Sequence, residues 1–175
     1  ISSALATCFP RFVQEELVDK VLPDWRARLP RARLAASAQL DLYFGVLSAA
    51  LEKNPAAPAW WGDLLLIEWA HATCLLAPSP HEGFSELLER LLLLGKTPRL
   101  TRRRNWSKDG LVLVRLKTNL PFLLEDGTSP PSAAAELRSA RDLFWFYVDL
   151  ESQAVCYARL KSISDLGARL KRKAE

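Results

Sequence analysis

The sequence predicts an α+β protein in which an N-terminal helical bundle, residues 1–97, is followed by a small β-rich domain, residues 98–175. In the first half of the chain, apolar residues recur every three or four positions, which is the period of an amphipathic helix. After Gly95 they fall instead into short runs rich in valine, leucine and aromatic residues, which are typical of strands. With 49% hydrophobic and 25% charged residues, the chain has the composition of a globular protein.

Four helices are predicted in the first domain. Residues 12–29 carry a helical apolar stripe that Pro23 interrupts, because proline lacks the N–H that a helix interior needs. Residues 37–54 repeat the same spacing, and residues 58–78 form a third helix that is apolar on most sides and is therefore expected at the centre of the bundle. Residues 79–95 begin with a capping-box pattern and end at a glycine, which predicts the fourth helix.

Four strands are predicted in the second domain. Residues 99–106 and 111–117 form the first two, with a turn at Lys108, Asp109 and Gly110 between them. Residues 142–150 and 154–160 are aromatic and β-branched runs separated by a short polar stretch, which is the pattern of a hairpin. An exposed loop at residues 125–136 and a short helix after residue 162 complete the predicted elements.

The net charge of +4 is unevenly distributed along the chain. Residues 1–98 hold 9 Lys or Arg and 11 Asp or Glu, a net of −2, whereas residues 99–175 hold 15 and 9, a net of +6. A basic half indicates an acidic partner. Nucleic acid, an acidic peptide and an acidic protein face all remain open, because charge alone does not distinguish them.

The side chains that build metal and catalytic sites are scarce in this sequence. It has 3 Cys and 2 His, namely Cys8, Cys74, Cys156, His71 and His81. A zinc or iron site normally needs three or four N, S or O ligands brought together, so we expect no metal or other cofactor in this chain. There is no phosphate-cradling glycine motif and no assembled nucleophile and base, so we also expect no enzymatic activity.

The sequence carries no membrane or export signal. No apolar run reaches the roughly 18 residues that a membrane helix needs, and no charged start followed by an apolar stretch indicates a signal peptide. We therefore expect a cytoplasmic protein without a membrane partner.

Two groups of residues are candidate binding surfaces. Arg102, Arg103 and Arg104 form a basic cluster that suits phosphates or acidic peptide side chains, and the same run is equally compatible with a solvated strand face. Trp60 and Trp61 open the third predicted helix. A ligand pocket lined by this pair is one alternative; because tryptophan is frequent in cores and at subunit interfaces, we expect instead that the pair packs inside the bundle or contacts a partner.

The most specific pattern combines a proline, two tryptophans and a leucine-rich helix with a Glu-Trp-Ala sequence. Residues 9–30, 37–78, 97–106 and 143–170 together resemble the Neisseria-type family named for DNA binding. The residues that carry this resemblance in the helical half are Pro58, Trp60, Trp61, Leu64, Glu68, Trp69 and Ala70.

Members of that family accompany multinuclear non-haem iron oxidative enzymes. These enzymes modify cysteine-containing precursor peptides in the assembly of ribosomally made natural products such as thiaglutamate and methanobactin. The resemblance implies that iron belongs to a partner enzyme, and that the small subunit binds the leader of the precursor through a winged-helix domain like a peptide-recognition element. The hairpin and helix predicted within residues 143–170 match the beginning of such a domain.

We therefore expect a non-catalytic accessory subunit that forms a heterodimer with an iron-dependent oxidative enzyme through Trp60 and Trp61. The leader peptide is expected to add as a strand beside residues 154–160, where alternate side chains share one face. The residues expected to contact the peptide are Val155, Tyr157, Arg159, Arg102, Arg103 and Arg104. The alternative is a DNA-binding transcriptional regulator, because a winged helix in a basic half suits a DNA duplex equally well.

Overall fold

A computed structural model describes residues 2–29, 34–77, 104–108, 111–120, 138–148 and 154–162. This part of the chain contains six helices and a four-stranded antiparallel sheet. The predicted α+β class is therefore confirmed.

Four short helices open the chain: α1 Ser2–Cys8, α2 Pro10–Gln14, α3 Leu17–Val21 and α4 Trp25–Arg28. The break expected at Pro23 is confirmed, because it lies between α3 and α4. The stripe is also broken between α2 and α3, which the periodicity does not predict. At this break Glu16 adopts a left-handed backbone conformation with φ of 55°. A left-handed residue cannot continue a right-handed helix, so the apolar stripe is divided over three helices. Its residues Phe12, Leu17, Val21, Trp25 and Leu29 are nevertheless all buried.

Two longer helices follow, and both confirm the sequence prediction. α5 spans Ala36–Glu52 and α6 spans Ala59–Leu76, close to the predicted ranges 37–54 and 58–78. α6 is buried around much of its circumference, as its apolar composition indicates. The apolar side chains that it buries are Leu64, Leu65, Leu66, Trp69, Ala70 and Cys74.

The sheet has the strands β1 Asn105–Lys108, β2 Leu111–Thr118, β3 Ser139–Val148 and β4 Val155–Leu160, in the order β1-β2-β3-β4. β1 and β2 are antiparallel, with Trp106 opposite Leu113. β3 and β4 form the predicted hairpin, also antiparallel, with Phe146 opposite Tyr157. Among the strands that the structure describes, β2 and β3 are the inner strands, and β1 and β4 are the two outer strands.

One strand boundary differs from the prediction. The sequence suggests a strand over residues 99–106 and a turn that begins at Lys108, but β1 continues to Lys108, which pairs with Leu111. Two residues are enough to connect antiparallel strands, and Asp-Gly is a favoured sequence for such a connection. Lys108 can therefore pair within the strand ladder instead of belonging to the turn. Residues 99–103 lie outside the described part of the chain.

Several predictions cannot be compared with the fold because they fall outside the described residues. These are the helix at 79–95, the loop at 125–136, the helix after residue 162 and the domain boundary between residues 97 and 98. By backbone proximity the chain divides into two compact units, each made of two segments. One comprises residues 1–72 and 117–140, and the other comprises residues 73–116 and 141–175. The end of β2 thus belongs to the same unit as α1–α5.

Candidate functional site

The outer strand β4 carries three of the predicted peptide-binding residues. By the two-residue period of a strand, Val155, Tyr157 and Arg159 share one face of the sheet with Phe144 and Phe146 of β3. The ring of Tyr157 lies 5.7 Å from that of Phe144, edge to face, and 5.5 Å from that of Phe146. Both phenylalanines are buried, whereas Tyr157 is half-buried. The face is therefore apolar at its centre and partly open at β4.

Arg159 is fixed on this face by an acidic neighbour that sequence reasoning misses. Its Nε and Nη2 donate hydrogen bonds to Oδ1 of Asp142, at 3.0 Å and 2.6 Å. Asp142 is diagonal to Arg159 across the β3–β4 ladder, since Arg159 lies opposite Phe144. The side chain of Arg159 is 60% exposed and that of Asp142 13%. In the sequence, Asp142 shares the two-residue period of Phe144 and Phe146 and therefore lies on the same face of β3. This alternation is the signal that could have predicted the pairing of Asp142 with Arg159.

The other face of the hairpin is also apolar. Trp145 is buried and lies against Tyr147, with 4.4 Å between the ring centroids. Cys156 is opposite Tyr147 in the ladder, and Leu160 is buried on the same face. β3 is therefore buried on both faces, as expected of an inner strand whose sequence is a nearly continuous apolar run.

Arg104 is the member of the predicted arginine cluster that lies within the described residues. Arg104 directly precedes β1, and its Nε donates a hydrogen bond to the carbonyl of Arg115 on β2 at 3.0 Å. β2 and β3 separate β1 from β4 in the sheet, so Arg104 lies at the opposite edge from Arg159. Arg102 and Arg103 are outside the described residues. Arg104 and β4 are therefore not adjacent in the sheet.

Trp60 and Trp61 lie in the first turn of α6. Their rings pack edge to face, with centroids 6.2 Å apart, and both side chains are half-buried. Trp69, farther along the helix, is buried against Phe44 at 5.1 Å and donates from Nε1 to Asp41 Oδ1 at 3.1 Å. Trp69 is therefore the core tryptophan of this helix, and Trp60 and Trp61 are less fully enclosed.

Glu68, from the Glu-Trp-Ala sequence of α6, holds the start of α2. Its Oε1 accepts from the N–H of Arg11 at 2.6 Å, and its Oε2 accepts from the N–H of Phe12 at 3.1 Å. Burial raises the pKa of Glu68 to about 7, although these two hydrogen bonds and the charge of Arg11 oppose the increase. The carboxyl group is a structural cap that titrates near neutral pH.

A second buried carboxylate, Asp63, also comes from α6 and is not predicted as a site residue. It accepts hydrogen bonds from the N–H groups of Lys117 and Thr118 and from the Thr118 hydroxyl. In the sequence, Asp63 directly precedes a Leu-Leu-Leu-Ile run on a helix that is expected to be buried. Because buried charges are paired or hydrogen-bonded, this position indicates that Asp63 has hydrogen-bond partners.

Neither Cys8 nor Cys74 has the lowered pKa of an activated catalytic thiol. Burial raises the pKa of Cys74 to about 12 and also raises the pKa of Cys8, so both favour the neutral thiol. Partial burial and the charge of Arg11 lower the pKa of His71. Among the residues that the structure describes, no three His, Cys, Asp or Glu side chains are grouped to hold a metal ion.

No helix within the described ranges combines the length and the apolar character that crossing a bilayer requires.

Comparisons with models of known families, with curated proteins and with solved structures found no match to this chain. The functional features on which a proposal can be based are the outer strand β4, the uneven charge and the half-buried tryptophan pair.

Proposed function

We propose that this chain is the non-catalytic subunit of a complex that matures ribosomally made peptides. In this proposal it binds the leader of the precursor peptide and presents the cysteine-containing core to an iron-dependent oxidative enzyme. The observation that carries the binding role is the outer position of β4, with Val155, Tyr157 and Arg159 on one face. An outer strand is the site at which an extended peptide can add to a sheet.

The chemistry of strand addition suits a leader peptide. Main-chain hydrogen bonds to β4 supply affinity that does not depend on the peptide sequence, and the alternate side chains of the peptide supply selectivity. The partly open aromatic row at Tyr157 offers apolar contacts. The net charge of +6 in residues 99–175 favours encounter with an acidic peptide.

The enzyme partner is proposed from the tryptophan pair and from the sequence resemblance. Trp60 and Trp61 are half-buried at the start of α6, and large aromatic side chains are enriched where subunits meet. In the proposal the iron belongs to the partner enzyme. A winged-helix character of the C-terminal part is proposed from the β3–β4 hairpin and from the helix that the sequence predicts after it.

The alternative function is DNA binding by the basic half, which the net charge of +6 supports. The two functions differ in their response to salt. Affinity for a DNA duplex falls steeply with salt because bound counterions are released, whereas main-chain hydrogen bonding to a peptide strand is much less sensitive. Parallel titrations with a labelled duplex and a labelled leader peptide therefore separate them.

Proline substitutions in β4 test the peptide-binding proposal. Successive N–H groups of an antiparallel strand point to opposite sides, so of Tyr157→Pro and Ala158→Pro one removes a donor toward β3 and the other removes a donor on the outer side. Circular dichroism identifies the variant that keeps the fold. We expect that variant to lose leader binding at every salt concentration, because it lacks a main-chain donor for the peptide.

Ser107→Pro is the matched control on the opposite outer strand. Arg115 donates its N–H to the carbonyl of Arg104, so by alternation the N–H of Ser107 points away from β2. This variant should stay folded and bind the leader normally. Full leader affinity in a folded β4 proline variant would exclude β4 as the docking strand.

A further inference from the structure

We propose that Glu68 is a pH-sensitive switch for the start of the chain. Its carboxyl group holds residues 2–14, which we call the α1–α2 segment, on α6 while it is protonated, and loss of the proton promotes local release of that segment. This inference goes beyond the proposed function, because it concerns the helices of the N-terminal part and not the β4 edge.

Glu68 caps α2 from a helix that is distant in the sequence. The residue is 7% exposed, and its two carboxyl oxygens accept from the N–H groups of Arg11 and Phe12, which lie 57 and 56 positions away. N–H groups in the first turn of a helix have no partner inside the helix and need an acceptor from elsewhere. Phe9, the residue before α2, supplies no side-chain hydrogen bond of this kind. The start of α2 therefore depends on a side chain of α6.

The α1–α2 segment is one hydrogen-bonded unit. The N–H of Phe9 donates to the carbonyl of Leu5 at 2.8 Å, and the N–H of Val13 donates to the carbonyl of Phe9 at 3.0 Å, so the bonds continue across the junction of the two helices. The segment ends just before the left-handed Glu16. With seven and five residues, α1 and α2 are shorter than the roughly 12–15 residues that an isolated helix needs in water. Release from α6 therefore also unfolds them.

Apolar contacts keep the segment closed most of the time. Leu5, Phe9 and Phe12 are fully buried, and each loses its buried apolar surface on release. Glu68 therefore does not choose between two equally stable forms. It changes how often the segment opens.

The direction of the pH response follows from the cost of a buried charge. Burial raises the pKa of Glu68 to about 7, and release of the segment exposes the carboxyl group to water, where its ordinary pKa is 4.5. Between these values the closed form holds a proton that the open form has lost, so opening becomes more frequent as the pH rises. The equilibrium constant for opening should increase about tenfold between pH 6 and pH 8.

The neighbouring titratable groups do not produce this response. Arg11 stays charged across the pH range, and its charge favours the ionised form of Glu68. His71 is in the next turn of α6, and its pKa is lowered by burial and by Arg11, so its titration opposes that of Glu68. The titratable groups of α1, α2 and α6 other than Glu68 are Cys8, Arg11, Asp63, His71 and Cys74.

Amide hydrogen exchange of the full chain, followed by NMR at pH 6 and pH 8, tests the proposal. Exchange rates are corrected for the intrinsic effect of pH, so that they report how often each N–H group opens. The probes are the N–H groups of Phe9, Arg11, Phe12 and Val13, and that of Leu47 in α5 is the reference. Relative to the reference, opening at all four probes should increase about tenfold from pH 6 to pH 8.

Two variants assign the response to Glu68. Glu68→Gln should remove the increase, because an amide side chain does not titrate in this range. Glu15→Gln is the matched control, since it makes the same change from carboxyl to amide directly after α2, and it should keep the increase. His71 is present in all three proteins, so its contribution cancels in the comparison.

Several outcomes would overturn the proposal. If only the N–H groups of Arg11 and Phe12 respond to pH, the Glu68 side chain loosens without releasing the segment. An equal change at Leu47 would mean that the whole fold responds and not the segment. Both of these results come from the parent chain, so they do not depend on the folding of a variant. An increase that persists in folded Glu68→Gln would assign the response to another group.

Discussion

Asp63 Oδ2 accepts two hydrogen bonds from Thr118, one from its N–H and one from its hydroxyl, each 2.7 Å long. The N–H of Lys117 donates to the same carboxylate, at 3.1 Å to Oδ1 and 2.9 Å to Oδ2. Asp63 is fully buried, and Thr118 is buried as well. This carboxylate on α6 therefore satisfies the last two backbone donors of β2, and it joins two distant parts of the sequence within one compact unit.

Replacing Asp63 with alanine should be strongly destabilising. The change leaves the buried donors of Thr118 without their acceptor, and each buried unsatisfied group costs about 1–3 kcal/mol. We expect the free energy of unfolding in urea to fall by roughly 3 kcal/mol. Asp41→Ala is the control, because Asp41 is exposed and accepts one bond, from Trp69; its cost should be about 1 kcal/mol. Equal losses for both variants would contradict the role given to Asp63.

Glu68 should make the stability of the protein depend on pH. Burial raises its pKa to about 7, whereas an unfolded chain releases this proton near its ordinary pKa of 4.5. Between these values the native state holds a proton that the unfolded state has lost, so the contribution of Glu68 to stability falls as pH rises from about 4.5 to 7. Urea unfolding between pH 5 and pH 8 measures this change in the free energy of unfolding, which should be roughly 3 kcal/mol. Glu68→Gln should remove the pH dependence.

The titration of His71 changes the stability in the opposite direction, so its contribution must be separated from that of Glu68. Its pKa is lowered, so the native state releases this proton before the unfolded state does, and its contribution to stability rises with pH up to about 6.5. The parent chain and the Glu68→Gln variant are therefore also compared in a second series in which both carry His71→Asn. If the difference in unfolding free energy between these two proteins stays constant across the pH range, Glu68 has the same pKa in the native and unfolded states, and the prediction is wrong.

Substituting Trp60 and Trp61 with serine should weaken assembly with the partner enzyme. Both side chains are half-buried, so the loss of apolar contact should affect a subunit interface more than the fold. Co-purification of the two subunits measures assembly, and the melting temperature of the free chain measures the fold. Trp69→Ala is the comparison, since this buried side chain should cost about 3–5 kcal/mol of stability. A similarly large loss in the double serine variant would place Trp60 and Trp61 in the core.

The purified chain should contain no stoichiometric iron or zinc. It has 3 Cys and 2 His in total, and the described residues contain no group of three metal-ligating side chains. Elemental analysis after expression without a partner enzyme is the measurement. One tightly held metal ion per chain would overturn this prediction and the assignment of iron to the partner.

The sequence by itself determines the α+β class, because the change from helical period to strand period is local information. The two long helices, Ala36–Glu52 and Ala59–Leu76, and the β3–β4 hairpin follow from apolar spacing alone. The break of the first helical stripe at Pro23 is also predicted, but the break at Glu16 is not, since Glu16 takes a left-handed conformation that its residue type does not announce.

Only the tertiary structure decides which distant residues meet. Asp63 lies 55 positions from Thr118, and Glu68 lies 57 positions from Arg11, and neither distance leaves a periodic signal. Strand order likewise places Arg104 and Arg159 at opposite edges of the sheet, although both belong to the same basic half. Periodicity reports which face of an element is buried, whereas hydrogen-bond partners and strand order depend on how the elements pack, and packing is a property of the whole chain.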